Sequence, residues 1–375
     1  MKRFVFDTLV ERENICNLLQ ESKLLAIHIQ NRANVVIFAP RNYGKTSLVR
    51  NIVIDDFRKQ NPKTFVFFVD LLGVKDMDAI IKRMINAFER SFAESFPIKQ
   101  LWENIKTFLA HLKPEVSVDP ISGSPSISLG LSTSKKEYSL HTVMQIIYEI
   151  SKKVPSLIVM DEFQDIAEVG EAEALFRTEL QEIQGIPTIL MGSKRHILNK
   201  MFSLQESPLA SWGVDVEIPP IPYTEYTTYM NERFSPFQLS IQEDTSRYLQ
   251  DLFYRVPEPI NIMCQQIIYT KTGKEKITVT DIQQALKDVL VNRESRYESI
   301  LRSHSKVEEA ILIEIAKLGY VEKPQSKCFL EKVRLSNRTV GKVISKLKDY
   351  GILEFASNAY RISSPLFNYY LVYYR

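Results

Sequence analysis

Four apolar runs of strand length punctuate the first 220 residues, at 35–39, 64–70, 157–162 and 188–193. Each is continuous rather than alternating, the pattern of a strand buried on both faces of a parallel sheet. Between them, apolar residues recur at helical spacing over 40–59, 76–95, 139–153 and 171–184; Met77, Ile80, Ile81, Met84, Ile85 and Phe88 mark the second of these helices. Strands alternating with helices predict a right-handed α/β parallel sheet with its ligand outside the strand C-termini. Residues 7–31 read as one amphipathic helix entering this domain. After Lys113-Pro114 the pattern changes to alternation, Val116/Val118 and Ile127/Leu129/Leu131 flanking residues 119–125, which predicts a β-hairpin with a mobile tip.

Beyond residues 214–220 the strand signal stops, and 223–234, 243–255, 258–272 and 279–300 read as helices of a small all-α region that could close as a lid. The last 70 residues predict a winged helix-turn-helix: helices at 306–318, 326–333 and 338–349, with a turn at Leu335-Ser336-Asn337. Strand-like 352–355 and 360–362 follow about Ser357-Asn358. The expected domains are 1–220, with the hairpin inserted at about 114–133, then 221–303 and 304–375.

The apolar run 35–39 leads into Ala39-Pro40-Arg41-Asn42-Tyr43-Gly44-Lys45-Thr46-Ser47. A strand, a tight turn and a helix opening on Gly-Lys-Thr form a phosphate-binding loop, because backbone N–H groups at a helix N-terminus converge on phosphate oxygens only beside a residue without Cβ. Gly44 fills that position. Lys45 would neutralise the β- and γ-phosphates of ATP and the Thr46 hydroxyl would ligate Mg²⁺. Ala39 stands where the pattern has its first glycine, and its small side chain fits if φ there is negative. The third run ends in Asp161-Glu162, carboxylates delivered to the edge of a buried strand. Asp161 would hold Mg²⁺, directly or through water, and Glu162, pointing to the other side of the chain, would orient and polarise the attacking water. Asp70, ending the second strand, is open to two readings, a supporting residue of the metal site or a strand-end cap.

Composition narrows the remaining classes. The 375 residues are 45 % hydrophobic and 25 % charged, ordinary for a globular chain able to bury a core. Cys16, Cys264 and Cys328 are far apart, and His28, His111, His141, His196 and His304 are scattered without ligand spacing, so neither a disulfide framework nor a metal other than Mg²⁺ is expected. No signal-peptide core and no membrane-length apolar run are found, so a cytoplasmic location is expected. The net charge of +3 is uneven: residues 305–375 carry 12 Lys+Arg against 7 Asp+Glu, leaving 36 against 38 for the rest. The basic character lies in the C-terminal module.

With loop, acid pair and tail in view, the chain resembles the archaeal-type ATPases, a group related to the STAND NTPases within the AAA+ class. The resemblance runs over nearly the whole chain. It is carried by Ala39-Pro40-Arg41-Asn42-Tyr43-Gly44-Lys45-Thr46-Ser47-Leu48, by Asp161-Glu162-Phe163-Gln164, by Met191-Gly192-Ser193 and by Tyr360-Arg361-Ile362-Ser363-Ser364-Pro365-Leu366-Phe367. It implies a P-loop α/β core, a helical lid and a winged helix, with Ser193 at the sensor position near the γ-phosphate. Two segments depart from the family. Ser207-Pro208-Leu209-Ala210-Ser211-Trp212-Gly213 lacks the arginine that often closes this motif, and Pro257-Glu258-Pro259 stands where STAND relatives carry Gly-x-Pro. Arg177 and Arg195 are the remaining candidates for phosphate sensing.

On helix 338–349, Arg338, Lys342 and Lys346 follow at i, i+4 and i+8 on one face, opposite the apolar Val340, Val343, Ile344 and Leu347. That is the face a recognition helix would set into a DNA major groove, and equally a basic surface for a protein partner. The aromatic residues Phe367, Tyr369, Tyr370, Tyr373 and Tyr374 are expected to pack in a core rather than stack on bases. The reading is a slow Mg·ATP-hydrolysing switch whose lid closure acts on a winged helix that contacts DNA or protein. A nucleotide-stabilised interaction scaffold with little turnover and an origin-recognition-like DNA-binding ATPase are the alternatives; no membrane is expected, and the oligomeric state is not readable.

Overall fold

The computed structural model describes residues 2–6, 8–95, 115–118, 125–128, 136–271, 275–356 and 358–375. Its contacts divide the chain into two units, Leu9–Pro219 on one side and Met1–Thr8 with Pro220–Arg375 on the other.

The first unit opens with α1 (Leu19–Gln30), β1 (Val35–Phe38), α2 (Lys45–Leu48) and α3 (Asp55–Gln60), the last two joined by a π-helical stretch at Val49–Ile54. The single helix expected over 7–31 does not form. Its first half is extended or 3-10 because tertiary partners hold it: the Val10 N–H donates to Ser47 Oγ at 3.0 Å and the Val10 carbonyl accepts from Asn51 Nδ2 at 2.8 Å. Next come β2 (Phe65–Asp70), α4 (Met77–Ser95), the strands β3 (Glu115–Val118) and β4 (Pro125–Ser128), α5 (Lys136–Ser151) and β5 (Ser156–Asp161). β3 and β4 pair antiparallel with Val116 opposite Ile127, as the alternation predicts. The tip at 119–124 and the positions Leu129 and Leu131 lie outside the described residues. The unit closes with α6 (Ala172–Glu182), β6 (Thr188–Gly192), α7 (Arg195–Ser203) and β7 (Val214–Glu217).

Five strands form one parallel sheet in the order β2-β5-β6-β1-β7. Their continuous apolar sequence follows from burial on both faces. Val36, Phe38, Ile158, Met160 and Leu190 point into one layer with Phe65, Met84 and Phe88. Val35, Ile37, Leu157, Val159, Ile189 and Met191 point into the other, with Leu48, Val49, Ile52 and Val53 from the helix after β1. Each such side chain contributes about 1.5–3 kcal/mol. The alternation has a chemical consequence. Asp161 continues the Leu157, Val159 series, so its carboxylate emerges on the sheet face that carries the helix beginning at Lys45.

The second unit contains α8 (Tyr223–Phe234), β8 (Leu239–Ile241), α9 (Glu243–Leu252), α10 (Pro257–Thr270), β9 (Glu275–Ile277), α11 (Val279–Asn292) and α12 (Glu294–Arg302). The helix expected over 279–300 is two helices that meet at Arg293, and β8 pairs with β9 in parallel, so the region is not wholly helical. The winged module follows as α13 (Lys306–Leu318), α14 (Lys327–Val333), α15 (Asn337–Asp349), the antiparallel β10 (Leu353–Ala356) and β11 (Ala359–Ile362), and α16 (Pro365–Tyr374). Ser305, Ser326, Ser336 and Ser364 cap the four helices by accepting an N–H of the first turn.

α16 and the helices before the winged module pack on each other. The Tyr297 ring lies 5.5 Å from Phe367 and 5.0 Å from Tyr370, Phe253 is 6.0 Å from Tyr369, and the Arg361 guanidinium lies 4.4 Å over Tyr254. Phe367 and Tyr370 are buried, while Tyr373 and Tyr374 are exposed. Residues 2–8 belong to this unit. Phe4 and Val5 are buried, Phe4 lies 5.1 Å from the Phe234 ring, Arg233 Nε donates to the Arg3 carbonyl at 3.1 Å, and Asn261 Nδ2 donates to the Val5 carbonyl at 2.8 Å. The chain therefore passes between the units twice, at 8–9 and at 219–220.

Candidate functional site

The residues singled out from the sequence sit on three neighbouring strand ends. β1 delivers the loop of Ala39 to Gly44, β5 delivers Asp161 and Glu162, and β6, lying between β1 and β5, delivers Ser193. Ala39 is buried under the loop, whereas Pro40, Arg41 and Asn42 are exposed and Tyr43 packs partly against the helix-side core. Gly44 caps α2 with φ +85, in the left-handed region that glycine occupies without strain. A Cβ built there meets nothing within 4 Å, so the loop presents open space beside its backbone. Asn42 also has positive φ and Ala39 does not, which is the condition under which alanine replaces the first glycine.

Behind the loop, Thr46 Oγ1 donates to Asp161 Oδ2 at 2.7 Å. The Asp161 carboxyl is buried, and desolvation pushes its pKa above the usual carboxylate range against the opposing pull of the Thr46 hydroxyl and the Lys45 charge. A hydroxyl and a carboxylate in contact are hard oxygen donors and fit Mg²⁺. Lys45 is 5 % exposed, and its Nζ stands 3.8 Å from Glu162 Oε1. Ser47 is buried on the far side of α2, where it accepts from the Val10 N–H rather than facing the loop.

Glu162 differs from expectation. Strict alternation would send it to the opposite sheet face from Asp161. Instead its backbone turns into the left-handed region at φ 49, uncommon for a side chain with Cβ. The turn brings the carboxylate back to the same group: Oε2 accepts from Ser193 Oγ at 2.8 Å and from Gln164 Nε2 at 2.7 Å. Lys45, Thr46, Asp161, Glu162 and Ser193 thus form one connected cluster. Asp70 is in register with Asp161, and its Oδ1 accepts from the Leu72 N–H at 2.9 Å, the geometry of a strand-end cap. Arg177 lies on α6; the Arg195 side chain is outside the described residues.

Two features were not legible in the sequence. Asp165 accepts from Gly73 N–H at 2.7 Å and from Lys194 Nζ at 3.0 Å, tying the ends of β2 and β6 to the turn after β5. His141 meets Glu179 at 3.2 Å and Glu182 at 3.6 Å across α5 and α6, although their sequence spacing shows no pattern.

Comparison with known structures bears on this arrangement. The Walker-type ATPase PABY2304 of Pyrococcus abyssi aligns over 98 % of this chain and 99 % of its own, with a TM-score of 0.64 at 16 % identity. The fold is that of a Walker-type ATPase. The Aeropyrum pernix ORC2 protein aligns over 98 % of this chain and 96 % of its own, with a TM-score of 0.54 at 12 % identity. The Aeropyrum pernix ORC1 protein, solved in complex with DNA, covers 99 % and 97 % at the same TM-score and identity. A family model described as "Probable winged helix domain" matches residues 295–373. No curated protein matches the chain. No helix among the described residues is long and apolar enough to cross a membrane.

The loop geometry makes a paired prediction. Gly44→Val abolishes nucleotide binding, because a β-branched residue does not tolerate φ +85 and its side chain fills the open space beside the loop N–H groups. Ala39→Gly leaves binding within about twofold, the position needing no special φ. Calorimetric titration of both variants with ATP checks this; equal behaviour contradicts the proposed loop.

Proposed function

We propose that this protein binds Mg·ATP at the loop, hydrolyses it slowly, and uses the cycle to switch a DNA-contacting winged helix. The observation that supports it most is the convergence of Lys45, Thr46, Asp161, Glu162 and Ser193 at the C-terminal ends of β1, β5 and β6. In this reading the loop N–H groups and the Lys45 ammonium hold the phosphates, and Thr46 and Asp161 hold the metal. Mg²⁺, when bound, neutralises charge developing on the phosphoryl oxygens. Glu162 accepts hydrogen bonds on Oε2, so Oε1 is the oxygen available to take a proton from water. Ser193 holds Glu162 and stands beside the position of the transferred group. Turnover is slow because the segment 207–213 lacks an arginine, a residue worth about 10³–10⁵ in rate where it acts as a finger.

The switch reading draws on the packing of α16 against Phe253 and Tyr297: motion of the helical lid carries the winged module with it. ATP biases that motion only as far as it binds the closed state more tightly than the open one. DNA is favoured over protein as the target by the +5 charge of residues 305–375 and by likeness to ORC1, whose structure contains DNA. Arg338 and Lys342 are exposed on α15. Lys346 on the same face is bound at 2.6 Å to Glu308 of α13, whose carboxyl it holds down to about 2 together with the Ser305 N–H. Any phosphate contact by Lys346 therefore competes with an internal ion pair.

Titrating duplex DNA by anisotropy over several salt concentrations tests the interface. Arg338→Ala with Lys342→Ala weakens binding and flattens the slope of log K against log salt by roughly 1 per lost phosphate contact. Adding Lys346→Ala changes the slope less than either of the first two. ATP hydrolysis is unchanged throughout. Indistinguishable titrations for wild type and the triple variant reject DNA as the target and leave the basic face to a protein partner.

A further inference from the structure

We propose that Gln164 is a positioning residue for Glu162, holding its carboxylate in the orientation that the ATPase reading above requires. Gln164 follows the acid pair by two residues, is fully buried, and spends its whole side-chain amide on this part of the molecule. Nε2 donates to Glu162 Oε2 at 2.7 Å and to Asp165 Oδ1 at 3.0 Å, while Oε1 accepts from the Ser193 N–H at 3.3 Å. The surroundings fix which way the amide faces. Two carboxylates stand on one side and an N–H on the other, so a flipped amide would set acceptor against acceptor and donor against donor.

The route of this side chain explains a glycine. A Cβ added at Gly192 would lie 1.8 Å from Gln164 Oε1 and 3.0 Å from its Cδ. β6 therefore carries glycine at its last residue because the amide passes over it, and Ser193 follows immediately as the second donor to Glu162. Asp165, held by Gly73 N–H and Lys194, anchors the other amide hydrogen. Without these donors Glu162 is a long side chain on a left-handed turn, free to leave the cluster. With them Oε2 is doubly engaged and Oε1 is turned to the Lys45 side. Gln164 touches no reacting atom in this scheme; it acts through Glu162, where a displacement of about 1 Å can cost on the order of 10² in rate.

The test uses two variants that strike the amide from opposite directions. Gln164→Leu keeps the volume and removes the donors; Gly192→Ala keeps Gln164 and displaces it. In both, kcat for Mg·ATP falls on the order of 10- to 100-fold while KM moves less than about threefold, the split expected when the water-orienting group is misplaced and binding is intact. The double variant is no slower than the worse single one, since both remove one interaction. Crystal structures of the two variants show the Glu162 carboxylate away from Ser193 Oγ, and the Ser193 amide exchanges faster with solvent. If kcat holds, if KM and kcat worsen together with the thermal midpoint, or if the losses add, Gln164 is core packing and the proposal is wrong. A wild-type protein without any turnover defeats the ATPase reading separately. The variant structures then decide the positioning role alone, and a Glu162 that keeps its place overturns it.

Discussion

Lys45→Ala weakens ATP binding about 10³-fold. Lys45 is 5 % exposed, and the nearest carboxylate, Glu162, stands 3.8 Å away, farther than a hydrogen-bonded pair. Its charge is therefore available to a polyanion. One unit charge about 4 Å from another is worth about 4 kcal/mol at an effective dielectric of about 20, which corresponds to roughly 10³ in affinity. Alanine also leaves the Glu162 and Asp161 carboxylates facing the phosphates without a counter-charge. Isothermal calorimetry with ATP and Mg²⁺ reads the effect directly. An affinity equal to that of wild type would remove the nucleotide assignment altogether.

Glu162→Gln separates binding from chemistry. The substitution preserves shape, and the remaining carbonyl oxygen still accepts from Ser193 and Gln164. ATP affinity therefore stays within a few fold. In the proposed mechanism the oxygen lost to proton transfer is Oε1, and removing a general base costs roughly 10²–10⁴ in turnover. Steady-state phosphate release quantifies the loss. Under the proposed switch, the same protein held in ATP is the form in which a partner should be captured by pull-down, because the hydrolysis that would end the ATP-bound state is blocked. Turnover within a factor of two of wild type would mean that another group takes the proton.

The parts of the fold legible in the sequence are those where chemistry demands a fixed local order or burial demands a fixed period. The loop from Ala39 to Ser47 and the pair Asp161-Glu162 belong to the first kind, and the doubly buried strands to the second. What was not legible depends on partners distant in the chain. Residues 9–18 carry a helical pattern yet form no α-helix, only a short 3-10 turn at Arg12–Asn14, because Ser47 and Asn51 claim both backbone groups of Val10. The left-handed turn at Glu162 leaves no mark in its residue type, since nothing about a glutamate announces positive φ. Lys346 reads as a free cation until Glu308, 38 positions earlier, is seen beside it. Gln164 was visible only as part of a resembling string. Its role emerges from the void that Gly192 leaves for it.

The segment Met1–Thr8 leaves the ribosome before any of Leu9–Pro219, yet its partners Arg233 and Asn261 are made more than 200 residues later. At about 5–20 residues per second that interval is on the order of tens of seconds. The α/β unit can complete itself during this time, whereas Phe4 and Val5 remain uncovered until α8 and α10 exist. The order of synthesis thus makes the second unit the last to close. A nascent chain stalled near residue 219 would leave Phe4 and Val5 without their partners on α8 and α10, and that short apolar stretch is where a holding chaperone would find purchase.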